Sequence, residues 1–153
     1  MPAYEISNHA APGGECRHNL TYWRYGDYVG IGPGAHGRFG EADSRRATRQ
    51  WRKPETWLAE VEKAGHGSEA NESIALDERA SEALLMGLRL REGIDLDNFA
   101  HQVGVPFEQM VAAKRLRLLR ERRLLRRQGR RLAATDRGRL LLDAVLAELL
   151  RGP

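Results

Sequence analysis

The sequence predicts an α+β protein in which a strand-and-loop segment precedes a mostly helical region, and three observations predict it. Short β-prone runs broken by Gly and Pro fill the first 39 residues. Apolar residues recur at helical spacing from Ile74 onward. Two short runs, Leu124 to Arg127 and Arg131 to Ala134, flank Gln128-Gly129-Arg130 as the strands of a hairpin would.

Taken in order, Tyr4-Glu5-Ile6-Ser7 and Tyr28-Val29-Gly30-Ile31 are the expected strands, separated by the turn signal Ala11-Pro12-Gly13-Gly14. Residues His18 to Trp23 read as a loop or one helical turn. Two short strands cannot bury a core alone, so their faces want neighbours, and the exposed strand edge predicts poor solubility or a homo-dimer. Within the mostly polar residues 40–73, Pro54 opens a helix with Trp57, Leu58 and Val61 on one face, and Gly65-His66-Gly67-Ser68 reads as the start of a linker. Asp77 is the expected cap of a helix running to about Leu90, with Ala80, Leu84 and Leu88 on one face. Asp95 caps a shorter helix, Leu96 to Val103, which Gly104 stops. Pro106 stands where a long basic helix begins, with Val111, Leu118 and Leu125 as its stripe. After the hairpin, Thr135 caps a last helix whose apolar face is Leu140, Leu141, Ala144, Val145 and Leu149. Three helices, a hairpin and a helix are the order of a winged-helix-like domain.

With 153 residues, the chain is one ordinary domain or a small domain plus a segment of something larger, and the second fits better. Hydrophobic content of 41% and charged content of 30% exclude wholesale disorder. No apolar run approaches the roughly 20 residues of a membrane-spanning helix, and Met1-Pro2-Ala3 does not open a secretory signal, so a cytoplasmic protein without a transmembrane segment is expected. Charge is divided unevenly: residues 111–153 hold thirteen Lys or Arg and four Asp or Glu, a net +9, against a net −5 for residues 1–110. Any nucleic-acid contact must therefore rest on the C-terminal third. Cys16 is the single cysteine, which excludes an internal disulfide and a closed thiolate metal site built from this chain alone.

Tyr4-Glu5-Ile6-Ser7-Asn8, Glu15-Cys16-Arg17-His18-Asn19, Tyr22-Trp23 and the run from Asp27 to His36 resemble the distal part of the radical-SAM family related to oxygen-independent coproporphyrinogen III oxidase. The pattern His-Asn-x-x-Tyr-Trp resembles the heme chaperone branch, HemW, more than the true oxidases, HemN. That resemblance implies a partial (β/α) radical-SAM barrel of TIM type, holding a [4Fe–4S] cluster on Cys-x3-Cys-x2-Cys with S-adenosylmethionine as a further ligand. Those cysteines do not occur here, and Cys16 cannot replace them. The chain then corresponds to the C-terminal part of such a protein: residues 1–39 the distal end of the barrel, 40–73 a helix and linker, and 74–153 a HemN-type, winged-helix-like C-terminal domain. No catalytic residue is assigned, and this chain alone is not expected to generate a radical.

His18 is the sharpest candidate, since imidazole is a common axial ligand to heme iron and Tyr22 and Trp23 could wall a porphyrin. The resemblance implies heme binding for the same histidine; its bland alternative is a histidine bonded to backbone at a barrel rim, with the aromatics in a core. Gly30, Gly32 and Gly34, with Ala35 and His36, border the S-adenosylmethionine cavity by resemblance, or simply make turns. Tyr4 and Glu5 point from a strand toward that cavity by the same resemblance, or are structural; being adjacent, they cannot share a face. Cys16 and His18 are too few for a metal site, and none is assigned. Lys114, Arg115, Arg117, Arg120, Arg122, Arg123, Arg126 and Arg127, with Arg130 and Arg131 on the hairpin, could meet phosphates. They are spread around the helix, so a lid meeting propionates or an acidic partner is the expected use and nucleic acid is not. Three functions follow: a fragment of a heme chaperone with heme and a heme-receiving protein as partners, a fragment of a coproporphyrinogen III oxidase, and an autonomous winged-helix DNA-binding module.

Overall fold

The computed structural model of the protein describes residues 1–151, and two three-stranded antiparallel sheets organise it. The first joins β1 (His36–Phe39), β2 (Arg46–Gln50) and β3 (Ser68–Ser73) in chain order, with His36 opposite Arg49 and Gln50 opposite Ser68. Ahead of it lies α1 (Arg17–Trp23), and between β2 and β3 lies α2 (Pro54–Ala64). Pro54 starts α2 and Gly65 ends it at φ 80°, a left-handed conformation that glycine adopts without a Cβ penalty. Residues 40–73 thus hold two strands beside the expected helix, and Gly65 to Ser68 runs straight into β3.

The two expected strands of the first region are not strands. Residues 4–7 are a bend closed by an Ala3–His9 bridge, because the Glu5 carboxylate draws the Ser7 N–H and the Asn8 side-chain amide around itself. Tyr28 makes a single bridge with Arg38, adding one residue to the β1 edge before the chain turns away. The sheet pairs antiparallel throughout, whereas the strands of a (β/α) barrel pair parallel.

The second region begins with α3 (Leu76–Gly87), whose first turn holds Asp77 and Glu78 where a helix N-terminus favours negative charge. The cap position is Ala75, two residues before the expected Asp77. Then come β4 (Ile94–Asp95) and α4 (Leu96–Val103); the Asp95 carboxylate accepts the N–H groups of Asp97 and Asn98 at 3.0 and 3.2 Å, and Gly104 closes the helix at φ 97°. The expected long basic helix is two helices, α5 (Phe107–Met110) and α6 (Ala113–Glu121), because Val111 is extended and buries its side chain in the core. The hairpin of β5 (Leu125–Gln128) and β6 (Arg131–Ala134) is present, with β4 on the other edge of β6. Thr135 caps α7 (Asp136–Leu140) through Oγ1 and the Gly138 N–H at 3.0 Å. The expected last helix breaks at Leu141 and resumes as α8 (Leu142–Leu150). That break rotates the apolar face, so Leu142, Val145, Leu146 and Leu149 are buried while Leu140 and Leu141 face solvent.

The core lies almost wholly in this second region: Leu84, Leu88, Phe99, Phe107, Leu132 and Val145 are each at most 2% exposed. Phe99 and Phe107 meet edge to face at 5.7 Å. Burial of such side chains contributes about 1.5–3 kcal/mol each.

The first region has no comparable core. No residue of α1 or α2 is buried. What joins it to the second region is a set of charged side chains. Arg45, fully buried, donates to the carbonyls of Tyr25, Gly26 and Gly40, to Asp27 and to Gln102 of α4, and lies over the Tyr25 ring at 4.0 Å. Arg79 of α3 reaches back to Asp43 at 2.7 Å. Arg89 pairs with buried Glu5, whose carbonyl also accepts Arg139 of α7.

Candidate functional site

Helix α1 buries none of its seven residues and sets His18 and Tyr22 one turn apart on the same face. The Tyr22 hydroxyl lies 2.8 Å from His18 Nε2, and the two rings meet edge to face at 4.6 Å. Tyr22 in turn meets the Tyr28 ring at 4.3 Å, also edge to face. His18 is exposed and both tyrosines are half-buried, so the cluster presents an oxygen and a nitrogen donor on an aromatic wall open to solvent. Trp23 turns inward instead: the Arg89 guanidinium stacks on its ring at 4.6 Å. Of the three expected heme-binding residues, the structure brings His18 and Tyr22 together and sets Trp23 behind them.

Behind Tyr28 lies a polar network that sequence reasoning missed. Tyr28 exchanges both backbone hydrogen bonds with Arg38. The Arg38 guanidinium holds Glu82 of α3 through Nε and Nη2, the shortest contact being 2.8 Å, and the Tyr25 hydroxyl donates to the same carboxylate at 2.7 Å. Burial alone would raise the Glu82 carboxyl, but the hydrogen bonds from Arg38 and Tyr25 hold it below the ordinary carboxylate range. Tyr25 is pushed well above the ordinary phenol range by burial and by Glu82. Its backbone sits at φ 56°, a region L-residues rarely adopt, and the contacts from Glu82 and Arg45 keep it there. Each bonded pair is at least ten residues apart in the chain. The only sequence signal was Tyr28 itself, in a run that reads as strand.

Tyr4 and Glu5 part company. The Tyr4 hydroxyl is 3.4 Å from the Asn19 amide and so touches α1, whereas Glu5 is fully buried against Ser7, Asn8 and Arg89. Burial would raise the Glu5 carboxyl; the Ser7 N–H, Asn8 and Arg89 together hold it low. In the glycine run, Gly30 is required by the chain's own crossing: a Cβ there would stand 2.3 Å from the His36 carbonyl oxygen. Gly32 and Gly34 take φ 96° and 71°, which glycine alone adopts freely, and a Cβ on Gly32 would meet nothing within 4 Å. Ala35 is half-buried and His36, at the start of β1, is exposed.

Cys16 is exposed and is the one thiol in the sequence, so these residues do not fit an iron–sulfur cluster held on several thiolates. For heme the donor set does fit: His18 and Tyr22 are both axial-ligand types, with the Tyr28 ring beside them at 4.3 Å from that of Tyr22. A cleft of about 510 Å³ is lined by Trp23, Arg24, Asn98, Phe99 and Arg131 among others, and does not include His18.

Residues 74–141 match the family model of the HemN C-terminal domain. The chain is 39% identical to the heme chaperone HemW of Mycobacterium tuberculosis over 96% of its own length and 34% of that protein. It is 37% identical to the mitochondrial radical S-adenosyl methionine domain-containing protein 1 of Bos taurus, over 96% of itself and 35% of the relative. The chain resembles the C-terminal part of this radical-SAM, coproporphyrinogen III oxidase-like family. It spans about a third of the length of these relatives. Among solved structures, the coproporphyrinogen III oxidase HemN of Escherichia coli, described as a radical SAM enzyme, superimposes with a TM-score of 0.58 at 18% identity, over 82% of this chain and 29% of that one. The stretch that matches the HemN C-terminal domain thus runs from α3 through α7 and contains most of the core. The histidine and tyrosine cluster stands outside it, on the segment that the HemW match also covers. No helix among the described residues is long and apolar enough to cross a membrane.

Proposed function

We propose that this chain is the heme-binding, C-terminal part of a radical-SAM heme chaperone. The observation that carries this is the pair of exposed His18 and half-buried Tyr22 on α1, one turn apart and bonded at 2.8 Å, within the His-Asn-x-x-Tyr-Trp pattern. Similarity to proteins named heme chaperone HemW over 96% of the chain supports it. In this reading heme is cargo, His18 contributes to its binding, and the Tyr22 and Tyr28 rings supply the wall. The full-length protein's S-adenosylmethionine and [4Fe–4S] cluster belong to a barrel whose rim residues 1–39 would border, with Gly32, Gly34, Ala35 and His36 nearest that cavity. A cytoplasmic setting and delivery to a heme-receiving protein are parts of the same proposal.

Hemin added to the purified chain should shift its Soret band, and His18→Ala should weaken the titration by on the order of tenfold or more. An unchanged titration in that variant would remove His18 from the site. The oxidase reading draws on the HemN structural likeness, which is one of fold; it predicts coproporphyrinogen turnover by the full-length protein.

We read β5, β6 and the helices before them as winged-helix-like, used as a lid or docking face and not for DNA. In support, Arg115 pairs with Glu148, Arg127 with Glu108, Arg130 with Asp97, and Arg131 with Glu92 and Asp95, so four of the ten basic side chains named for this surface are answered within the domain.

A further inference from the structure

We infer that the atom which would bind heme iron is the phenolate oxygen of Tyr22, with His18 as its proton acceptor and positioning residue; this rests on the heme-binding reading above. The Tyr22 hydroxyl and His18 Nε2 are 2.8 Å apart. With the imidazole hydrogen on Nδ1 the bond runs from Tyr22 O–H to Nε2, the direction in which a phenol bonds best. The Nε2 lone pair, the usual ligating atom of a histidine, is therefore already engaged. Nδ1 is bonded to Cγ and so lies closer to the backbone than Nε2 does. For His18 to ligate through Nε2, the pair would have to separate.

Ligation through Tyr22 uses the pair as it stands. The bond that forms is Tyr22 Oη to ferric iron; the phenol proton passes to Nε2; the water or hydroxide on hemin leaves to solvent. No electron moves. The resulting imidazolium stays hydrogen-bonded to the phenolate and offsets its charge, a charge-assisted bond of the strong kind. The Tyr28 ring, edge to face with Tyr22 at 4.3 Å, fixes the phenol's orientation from the other side. Tyrosinate is an established axial ligand type for heme, and a hard anionic oxygen favours ferric over ferrous iron. The site would accordingly hold oxidised heme and bind reduced heme weakly.

The test is a hemin titration of the whole chain and of Tyr22→Phe and His18→Ala, with circular dichroism to confirm folding and resonance Raman to read the axial ligand. Wild type should show the iron–phenolate signature and lose heme affinity when dithionite reduces the iron. Tyr22→Phe should lose that signature and bind on the order of tenfold to a hundredfold more weakly. His18→Ala should keep the signature with weaker binding. If a folded Tyr22→Phe retains wild-type affinity and spectrum while His18→Ala loses its axial ligand, histidine is the ligand and this inference is overturned. If wild type takes up no hemin at all, the heme-binding reading itself falls.

Discussion

The two regions of this molecule are held by opposite means. From α3 onward the chain is organised around an apolar core in which Leu88, Val103, Leu132 and Val145 have no exposure. Residues 1–73 bury Ala10 and Tyr25 as their only apolar side chains, and Glu5 and Arg45 as their charged ones. Charge burial is costly unless donors and acceptors find partners, so the first region is defined by the hydrogen bonds around Glu5 and Arg45, in which, among the described residues, only the Arg45 Nε lacks a partner. The second region's stabilisation is non-directional and tolerates small shifts. A surface layer fixed by directional contacts can keep a cluster such as His18, Tyr22 and Tyr28 open to solvent, where an apolar core would have drawn the rings inward.

The contrast can be broken most forcefully from the apolar side. Phe107→Ala removes a ring that is 1% exposed and packed on Phe99, and should cost about 3–5 kcal/mol in urea unfolding. Because the first region docks on this core, both regions should lose hydrogen-exchange protection together. If residues 36–73 kept their protection, that layer would have to be stable by itself.

Arg45→Met attacks the other side with a smaller effect. Methionine fills part of the space but strands the carbonyls of Tyr25, Gly26 and Gly40, at about 1–3 kcal/mol for a group left unpaired. We expect about 3 kcal/mol, with exchange accelerating in β1 to β3 while α4 and α8 stay protected. Uniform loss across the chain would show that Arg45 supports the core as well, and that the two regions are less distinct than their contacts indicate.

The same contrast explains what could be read from the sequence. In the second region the core leaves its period in the chain, so Ala80, Leu84 and Leu88, the Asp95 cap, the Gly104 stop, the hairpin and the Thr135 cap were legible. The breaks at Val111 and Leu141 were not, since neither carries a proline or glycine; tertiary burial of Val111 and Leu142 decides them. In the first region, β1 to β3 are His-Gly-Arg-Phe, Arg-Ala-Thr-Arg-Gln and Ser-Glu-Ala-Asn-Glu-Ser, with no apolar alternation because neither face of the sheet covers a core. His18 and Tyr22 stood out as chemistry-bearing residues. Their partnership with Tyr28, and the chain from Tyr28 through Arg38 to Glu82, depends on contacts across 44 residues that no local pattern announces.

The smallest effect sharpens the contrast within a single residue type. Arg49 lies four positions beyond Arg45, on β2, and pairs with Glu69 of β3 while its side chain remains 53% exposed. Water solvates both partners if the pair breaks, no carbonyl is stranded, and salt screens what attraction exists, so Arg49→Ala should cost less than about 1 kcal/mol. It should also lose most of that effect at high salt, whereas the cost of Arg45→Met should barely change. Equal penalties for the two substitutions would mean that burial is not what separates them. Unequal ones, in this order, would tie the first region's stability to its few enclosed charges and not to its abundant arginines.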